Sequence, residues 1–385
     1  MLTIIGNGMG KYNFSNIDIN FEQFDKIICD KNFEEDNSNI LKFSYKDAKD
    51  YILENYSKKN LLYVVTGSPL FFSAGILIAN KLPFDQVKII NNISSKDYIL
   101  SKLFIDELKL TAISLHGRKN IDKTKFLTNE YSFVLCDQYS IKILQEALIF
   151  LNHNDIKVTI GYKLGYEDEV IEQINIFKDN LEFDLTQPYV IVIEKLYKDI
   201  NLISQDDEFV TQRGMITKKY KRELSLQLLD LQPNEILWDI GAGSGSCGIQ
   251  AYKRYKTKSI FFEKQPQRIV FIKENLQNHK VVDCKLYEGE AQHIFNTIDE
   301  NPDKIFIGGG GEKVIEKIPY LYERLNKNGI ILINAITLTH LSLMINILNK
   351  ANIKYEVHSI SLTTYKGSLN LVEPQRQLFS ILTYK

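Results

Sequence analysis

The run Ile236-Leu237-Trp238-Asp239-Ile240-Gly241-Ala242-Gly243-Ser244-Gly245-Ser246 joins an apolar segment and an aspartate to three alternating glycines. A buried parallel strand that enters a tight turn and then a helix is built this way. Glycine backbone approaches a ligand closely, and the helix start behind it presents unpaired N–H groups. Asp239 adds what reads as a fixed negative charge, which suits a ligand with a cationic amino group and disfavours a pyrophosphate. That chemistry points to S-adenosylmethionine (SAM) and methyl transfer. A dinucleotide is the rival ligand, because Gly243-Ser244-Gly245-Ser246-Cys247-Gly248 satisfies G-x-G-x-x-G. With the strand ending at Asp239, that match falls two residues late.

Further residues extend this constellation. Glu263 stands 22 positions beyond Gly241, at the end of the next apolar run, where a carboxylate can accept hydrogen bonds from ribose hydroxyls. Glu288-Gly289-Glu290-Ala291 follows the third run, and small Ala291 would let backbone approach an adenine ring. Gly308-Gly309-Gly310-Gly311 follows the fourth and leaves room for a large flat substrate. The acidic or Asn-Pro-Pro-aromatic motif of many amino-methylating enzymes is absent there, which argues against adenine or amide N-methylation. Upstream, Arg213-Gly214-Met215-Ile216-Thr217-Lys218-Lys219-Tyr220-Lys221-Arg222 holds five basic residues in ten. It reads either as a solvated helix face or as a cationic rim for a polycarboxylate.

The elements that must position these groups alternate. Strands are expected at Leu2–Ile5, Lys26–Cys29, Leu61–Val65, Val87–Ile90, Ala112–Leu115, Phe133–Cys136, Lys157–Gly161 and Tyr189–Glu194. Helices are expected at Asp47–Tyr56, Leu70–Leu82, Lys96–Leu103 and Ile141–Asn152. Ser68 is expected to cap the second of these, with Pro69 at its first position. After a polar, irregular stretch at Lys195–Gln205 a second series begins, with a helix at Lys218–Leu229. Its strands are expected at Ile236–Ile240, Lys258–Glu263, Lys285–Glu288, Lys304–Ile307, Ile330–Asn334, Lys354–Ser361 and Leu378–Tyr384. Alternation of this kind predicts α/β architecture in two domains, residues 1–199 and 204–385.

Length and charge agree. The 385 residues exceed one ordinary core, and Lys+Arg 47 against Asp+Glu 48 gives no global attraction to nucleic acid or anionic membrane. Cys29, Cys136, Cys247 and Cys284 are scattered, so neither a disulfide framework nor a metal site is expected, and a reducing cytoplasm fits. Asn60–Asn80 has 21 uncharged residues, but Thr66-Gly67-Ser68-Pro69 interrupts it, so strand, loop and helix are expected rather than a membrane span.

The second half resembles the decarboxylating precorrin-6Y methyltransferase family. Met215, Thr217 and Lys218, with Ile216 inserted, are similar to its Met-Thr-Lys segment. Gly241–Gly245, Glu263, Ala291, Phe306-Ile307-Gly308-Gly309 and Asn334-Ala335-Ile336-Thr337 match further motifs. The first half is similar to the tetrapyrrole methylases through Gly6-Asn7-Gly8-Met9-Gly10, Thr66-Gly67-Ser68-Pro69-Leu70-Phe71-Phe72, Ser94-Ser95 and Ser114-Leu115-His116-Gly117-Arg118. Lys163-Leu164-Gly165 and Glu169 echo another motif. Met9 stands where that family has proline, Ser68 where it has aspartate, and Pro374-Gln375-Arg376-Gln377 lacks a frequent Asn-Pro.

The resemblance implies a tetrapyrrole-methylase (class III) fold of two α/β subdomains, followed by a Rossmann-like class I SAM methyltransferase fold. It implies two SAM sites per chain, one at Thr217, Asp239, Gly241, Ala242, Gly243, Ser244, Gly245, Glu263 and Ala291, the other at Gly67, Ser68, Ser94 and Ser95. A tetrapyrrole would contact Gly8, Arg118, Arg213, Lys218, Gly308 and Gly309; Lys219 and Arg222 are further partners for its carboxylates. Asn334 and His116 are the candidates for proton transfer, by position only. The implied chemistry is methylation at carbons 5 and 15 with loss of the ring C acetate carboxyl, in corrin-ring biosynthesis, by a homo-oligomer without nucleic acid, membrane or metal. Two other readings stand beside it: a first half that only binds substrate, and a SAM-dependent RNA methyltransferase with residues 213–222 on phosphate.

Overall fold

The computed structural model describes residues 1–117, 122–178, 181–198, 202–309, 311–366 and 371–385. The first half contains β1 (Leu2–Gly6), β2 (Lys26–Cys29), β3 (Ile40–Lys42), α1 (Tyr45–Asn55), β4 (Leu61–Val65), α2 (Ala74–Ala79) and β5 (Val87–Ile90). It continues with α3 (Ser95–Leu103), β6 (Leu110–Ser114), β7 (Tyr131–Leu135), α4 (Ser140–Ala147), β8 (Ile156–Tyr162), β9 (Val170–Ile174) and β10 (Tyr189–Lys195). The second half begins with α5 (Lys219–Leu228), β11 (Ile236–Ile240), α6 (Ser246–Tyr255), β12 (Lys258–Glu263), α7 (Pro266–Asn278) and β13 (Lys285–Glu288). Then come α8 (Ala291–Ile294), β14 (Lys304–Ile307), α9 (Glu312–Ile315), α10 (Ile318–Arg324), β15 (Ile330–Ala335) and α11 (Leu338–Lys350). The chain closes with β16 (Tyr355–Ile360), β17 (Thr363–Lys366), β18 (Leu371–Pro374) and β19 (Leu378–Tyr384).

Contacts divide the chain into two compact units. The first comprises Met1–Ile121, Phe126–Ile143 and Ile156–Leu196; the second comprises Asp122–Lys125, Leu144–Asp155 and Tyr197–Lys385. In the first unit, a parallel sheet of order β3-β2-β4-β1-β5 precedes a mixed sheet of order β6-β7-β10-β8-β9. β1 and β4 are buried at every position, as central parallel strands require, which is why β4 reads as an uninterrupted apolar run and β1 as one broken only by Thr3.

The short apolar run after Pro69 does not become the expected long helix. Phe72 takes φ +47°, and α2 starts only at Ala74, capped by Ser73. Ser68 instead donates to Asn91 Oδ1 at 2.6 Å and receives the Leu70 N–H at 3.1 Å. Asn60–Asn80 thus forms β4, a loop and α2, and among the described residues no helix is long and apolar enough to cross a membrane. β3, β9 and the β17–β18 hairpin were not anticipated; each is short or only half-buried, so its pattern is weak.

The second unit is built on a seven-stranded sheet, β13-β12-β11-β14-β15-β19-β16, parallel through β15 and antiparallel at β19 and β16. Strand order therefore reverses between β11 and β14, and a crevice opens at their carboxyl ends, where open α/β sheets take ligands. Alternation along β11 sends Trp238 and Ile240 into a core with Phe262, Phe295 and Ile305. Leu237 faces the opposite way, toward Leu226, Leu229, Cys247 and Ala251. Asp239 shares the face of Leu237 and so meets α6. Packing there is tight: a Cβ on Gly248 would lie 2.3 Å from Phe261 Cε1. Gly248→Ala is expected to destabilise the protein by about 1–3 kcal/mol through overpacking. The check is a lower urea midpoint at unchanged slope, and an unmoved midpoint would show that α6 shifts freely.

Candidate functional site

The three alternating glycines behave as their spacing implies. Gly241, Gly243 and Gly245 take φ +68°, +63° and +76°, a region that favours glycine, and Gly245 caps α6. The loop is pinned to β12 by Gly241 and Ala242, whose N–H groups both donate to Phe262 O at 3.0 Å.

Two buried carboxylates flank this loop. Asp239 is 1% exposed; its Oδ2 accepts the Gly248 N–H at 2.9 Å, and its Oδ1 has no partner among the described residues. Burial raises its pKa to about 7, against the Gly248 hydrogen bond and aided by the charge of Glu263. Asp239 is therefore a titrating group at neutral pH, where a fixed charge had been expected. Glu263 is also buried. Its Oε2 accepts Gly243 N–H at 2.9 Å and its Oε1 accepts the N–H groups of Lys264 and Gln265, each at 2.9 Å. With two lone pairs per oxygen, one acceptor position on Oε2 remains free for a ligand hydroxyl. Gly289 N–H donates to Glu263 O at 2.9 Å, which draws the loop before Ala291 toward the same end of the sheet.

Two recesses share this crevice. The smaller, about 200 Å³, is lined by Gly241, Glu263, Arg268, Gly289, Ala291, Gly308 and Gly309. The larger, about 1030 Å³, is lined by Thr217, Lys218, Gly241, Ala242, Gly243, Ser244, Gly308, Gly309 and Asn334, among others. Gly241, Gly308 and Gly309 belong to both walls. Gly310 lies outside the described residues. Asn334 is held by two serines: its Nδ2 donates to Ser225 Oγ at 3.1 Å and its Oδ1 accepts from Ser380 Oγ at 2.7 Å.

The basic run at 213–222 divides by burial. Arg213 is exposed and lines neither recess. Arg222, expected at a cationic rim, is fully buried; it donates to Asp206, Thr217 O and Ser204 O and lies 5.0 Å from the Phe209 ring. It braces the approach to α5. Lys219 donates to Gln205 Oε1 at 3.0 Å. The large recess instead gains Lys221, Arg268 and Arg376. Arg268 sits in the first turn of α7, just past Glu263, a position that its spacing could have flagged; Arg376 carries no such signal.

In the first unit Gly8 and Gly67 exchange backbone hydrogen bonds at 3.2 and 3.1 Å, so the first Gly-rich loop and the Thr66–Pro69 loop are brought together. Ser94 caps α3 in a capping box with Asp97, and Ser95 is the first residue of that helix. His116 is exposed, with Nδ1 3.3 Å from Cys136 O. Arg118 lies outside the described residues.

Residues 208–383 match the family described as precorrin methyltransferase domain. The chain is 29% identical over 290 residues to a decarboxylating precorrin-6Y C(5,15)-methyltransferase of a Sinorhizobium species, covering 72% of this chain and 68% of that protein. That match is longer than the segment 197–385 and so extends into the first unit. A probable cobalt-precorrin-6B C(15)-methyltransferase (decarboxylating) of Saccharolobus solfataricus is 35% identical over 141 residues, which are 36% of this chain and 68% of that protein. A crystal structure of a precorrin-6Y C5,15-methyltransferase from Geobacter metallireducens is 32% identical, covers 48% of this chain and 98% of that chain, and has a TM-score of 0.46.

Proposed function

Because this chain belongs to the precorrin methyltransferase family, we propose that it methylates a precorrin-6 or cobalt-precorrin-6 type tetrapyrrole at carbons 5 and 15, with SAM as methyl donor and loss of the ring C acetate carboxyl. The observation that carries this reading is the pair of recesses meeting at Gly241, Gly308 and Gly309, with Glu263 in one wall and Asp239 behind the loop. The residues present suit a sulfonium nucleoside. Asp239 Oδ1 is an unclaimed buried acceptor for an ammonium, Glu263 keeps one acceptor for a ribose hydroxyl, and Ala291 adds little bulk beside an adenine ring.

When bound, SAM supplies an activated methyl group. Thr217 and Gly241–Gly245 would hold the donor so that a meso carbon of the macrocycle meets it in line. Gly308 and Gly309 would let the macrocycle lie close to backbone, and Lys218 would face its carboxylates, with Arg213 further out. Alignment and exclusion of water matter more for this transfer than a strong base. Asn334, oriented by Ser225 and Ser380, retains one N–H and one lone pair toward the recess. We assign carbon 15 and the decarboxylation to the second unit.

Carbon 5 is assigned to the first unit, with Gly67, Ser68, Ser94 and Ser95 toward a second SAM, Gly8 and Arg118 toward the macrocycle, and His116 as its candidate proton carrier. A second reading, in which the first unit only binds substrate, draws on the hydroxyls of Ser68 and Ser94, both of which serve local hydrogen bonds. Four buried cysteines without a disulfide suit the cytoplasm.

One experiment separates these readings. Incubation with SAM and metal-free or cobalt-loaded precursor, followed by product mass, should give two added methyls and one lost carboxyl. One methyl with one lost carboxyl would favour the second reading. Calorimetry with S-adenosylhomocysteine should count two sites per chain.

A further inference from the structure

We propose that the Lys221 ammonium is the seat of one substrate carboxylate in the large recess of the second unit, an inference that rests on the tetrapyrrole reading above. Lys221 lies on α5, lines the recess, and is 8% exposed. Its ammonium donates to the main-chain carbonyl of Arg376 and forms no ion pair with a carboxylate among the described residues. A buried ammonium without a counter-charge is unfavourable, and burial alone lowers the pKa of this one.

Neighbouring cations are placed differently. Arg222, the next residue, is still more buried but pairs with Asp206 at 3.1 Å, and Lys218 stands 3.9 Å from the same carboxylate. Asp206 is thus committed to other cations. An ammonium has three N–H donors. The Arg376 carbonyl takes one, which leaves two for an anion entering from the recess.

Position strengthens the assignment. Lys221 precedes Ser225 by one helical turn on the same face of α5, and Ser225 holds Asn334 at 3.1 Å. Lys221 thus lines the same recess as Asn334, Gly308 and Gly309. A macrocycle lying on that glycine backbone would present a peripheral carboxylate to Lys221. The site would select a free acid over its ester or amide, because only the acid supplies the missing charge.

The test is steady-state methylation of the metal-free tetrapyrrole acid by full-length protein. Losing one charge-assisted contact should raise the tetrapyrrole KM of Lys221→Met by about tenfold or more, with kcat changed less. Lys221→Arg, which keeps the charge, should recover most of the loss, and affinity for S-adenosylhomocysteine should stay within about twofold as the folding control. An unchanged KM in a Lys221→Met protein that still binds S-adenosylhomocysteine overturns this inference alone. Should the methionine variant lose that binding, Lys221→Gln, which can still donate to Arg376 O, gives the same comparison. Failure of the unaltered protein to methylate the tetrapyrrole overturns the functional reading beneath it.

Discussion

Glu263→Gln is expected to weaken S-adenosylhomocysteine binding to the second unit by about a hundredfold, since two charge-assisted contacts of about 1.5 kcal/mol each would be lost, one to a ribose hydroxyl and one to the Gly243 N–H that shapes the loop. Gln is nearly isosteric with Glu, so a carboxylate that only touched a ribose hydroxyl would tolerate it well. Glu263 does more. Its two oxygens gather three backbone N–H groups, those of Gly243, Lys264 and Gln265. An amide has one oxygen, so whichever way it turns, its NH2 group opposes at least one backbone N–H. If the amide oxygen keeps Lys264 and Gln265, the Gly243 N–H is abandoned, and the glycine loop keeps only the ties of Gly241 and Ala242 to β12. The same change should lower stability by about 1–3 kcal/mol, the cost of a buried donor left unsatisfied. Titration calorimetry and urea unfolding read the two effects. Binding within threefold of the unaltered protein would show that Glu263 does not shape the loop for the ligand.

Asp239→Asn should be nearly as damaging to cofactor binding while touching the fold differently. The Asp239 carboxyl has an ordinary value of 3.8 and is pushed up to about 7 by burial. A group raised in this way binds its proton more tightly in the folded chain. The stability it contributes in acid is complete below about pH 4 and fades as pH rises through about 7. Ligand-free protein should therefore unfold more readily at pH 8 than at pH 6 through this group, and Asp239→Asn should flatten that slope.

An ammonium placed at Oδ1 reverses the balance by favouring the charged form. Binding of S-adenosylhomocysteine near pH 7 should then release about half a proton from Asp239. Calorimetry in two buffers of unequal ionisation enthalpy measures that release directly. The asparagine variant should release none from this group, and it should bind about a hundredfold more weakly for loss of a charged hydrogen bond. Equal proton release in both proteins would falsify the pairing of Asp239 with the amino group.

Much of the scaffold was legible in the chain. Lys26–Cys29, Leu61–Val65, Ile236–Ile240, Lys258–Glu263, Lys304–Ile307 and Leu378–Tyr384 form as read, because largely buried strands are written as mostly apolar runs, and the more exposed Val87–Ile90 and Lys285–Glu288 also form at the bounds read. The glycines at 241, 243 and 245 declare a left-handed backbone at three alternate positions, and the structure has it. The distance from Gly241 to Glu263 spans one helix and one strand, which places that acid at the mouth of the same crevice. Short or half-buried elements were harder. β3, β9 and the β17–β18 hairpin carry too few buried positions to impose a pattern. α2 is shorter than its apolar run because Phe72 leaves helical space before it.

Side-chain direction is where reading stopped and folding decided. Local residue types determined the α/β alternation, the glycine turn and the acid at each strand end, since each depends on backbone geometry within a few residues. Whether a cation in the 213–222 run faces solvent, a recess or the core depends on what approaches from elsewhere in the chain. Arg222 turns inward because Asp206, Ser204 and Phe209 receive it, and Lys221 turns to the recess because the carbonyl of Arg376, 155 residues away, meets its ammonium. The linear pattern records that these side chains are charged. Only tertiary packing sets which charge is neutralised within the protein and which is left to be completed by a ligand.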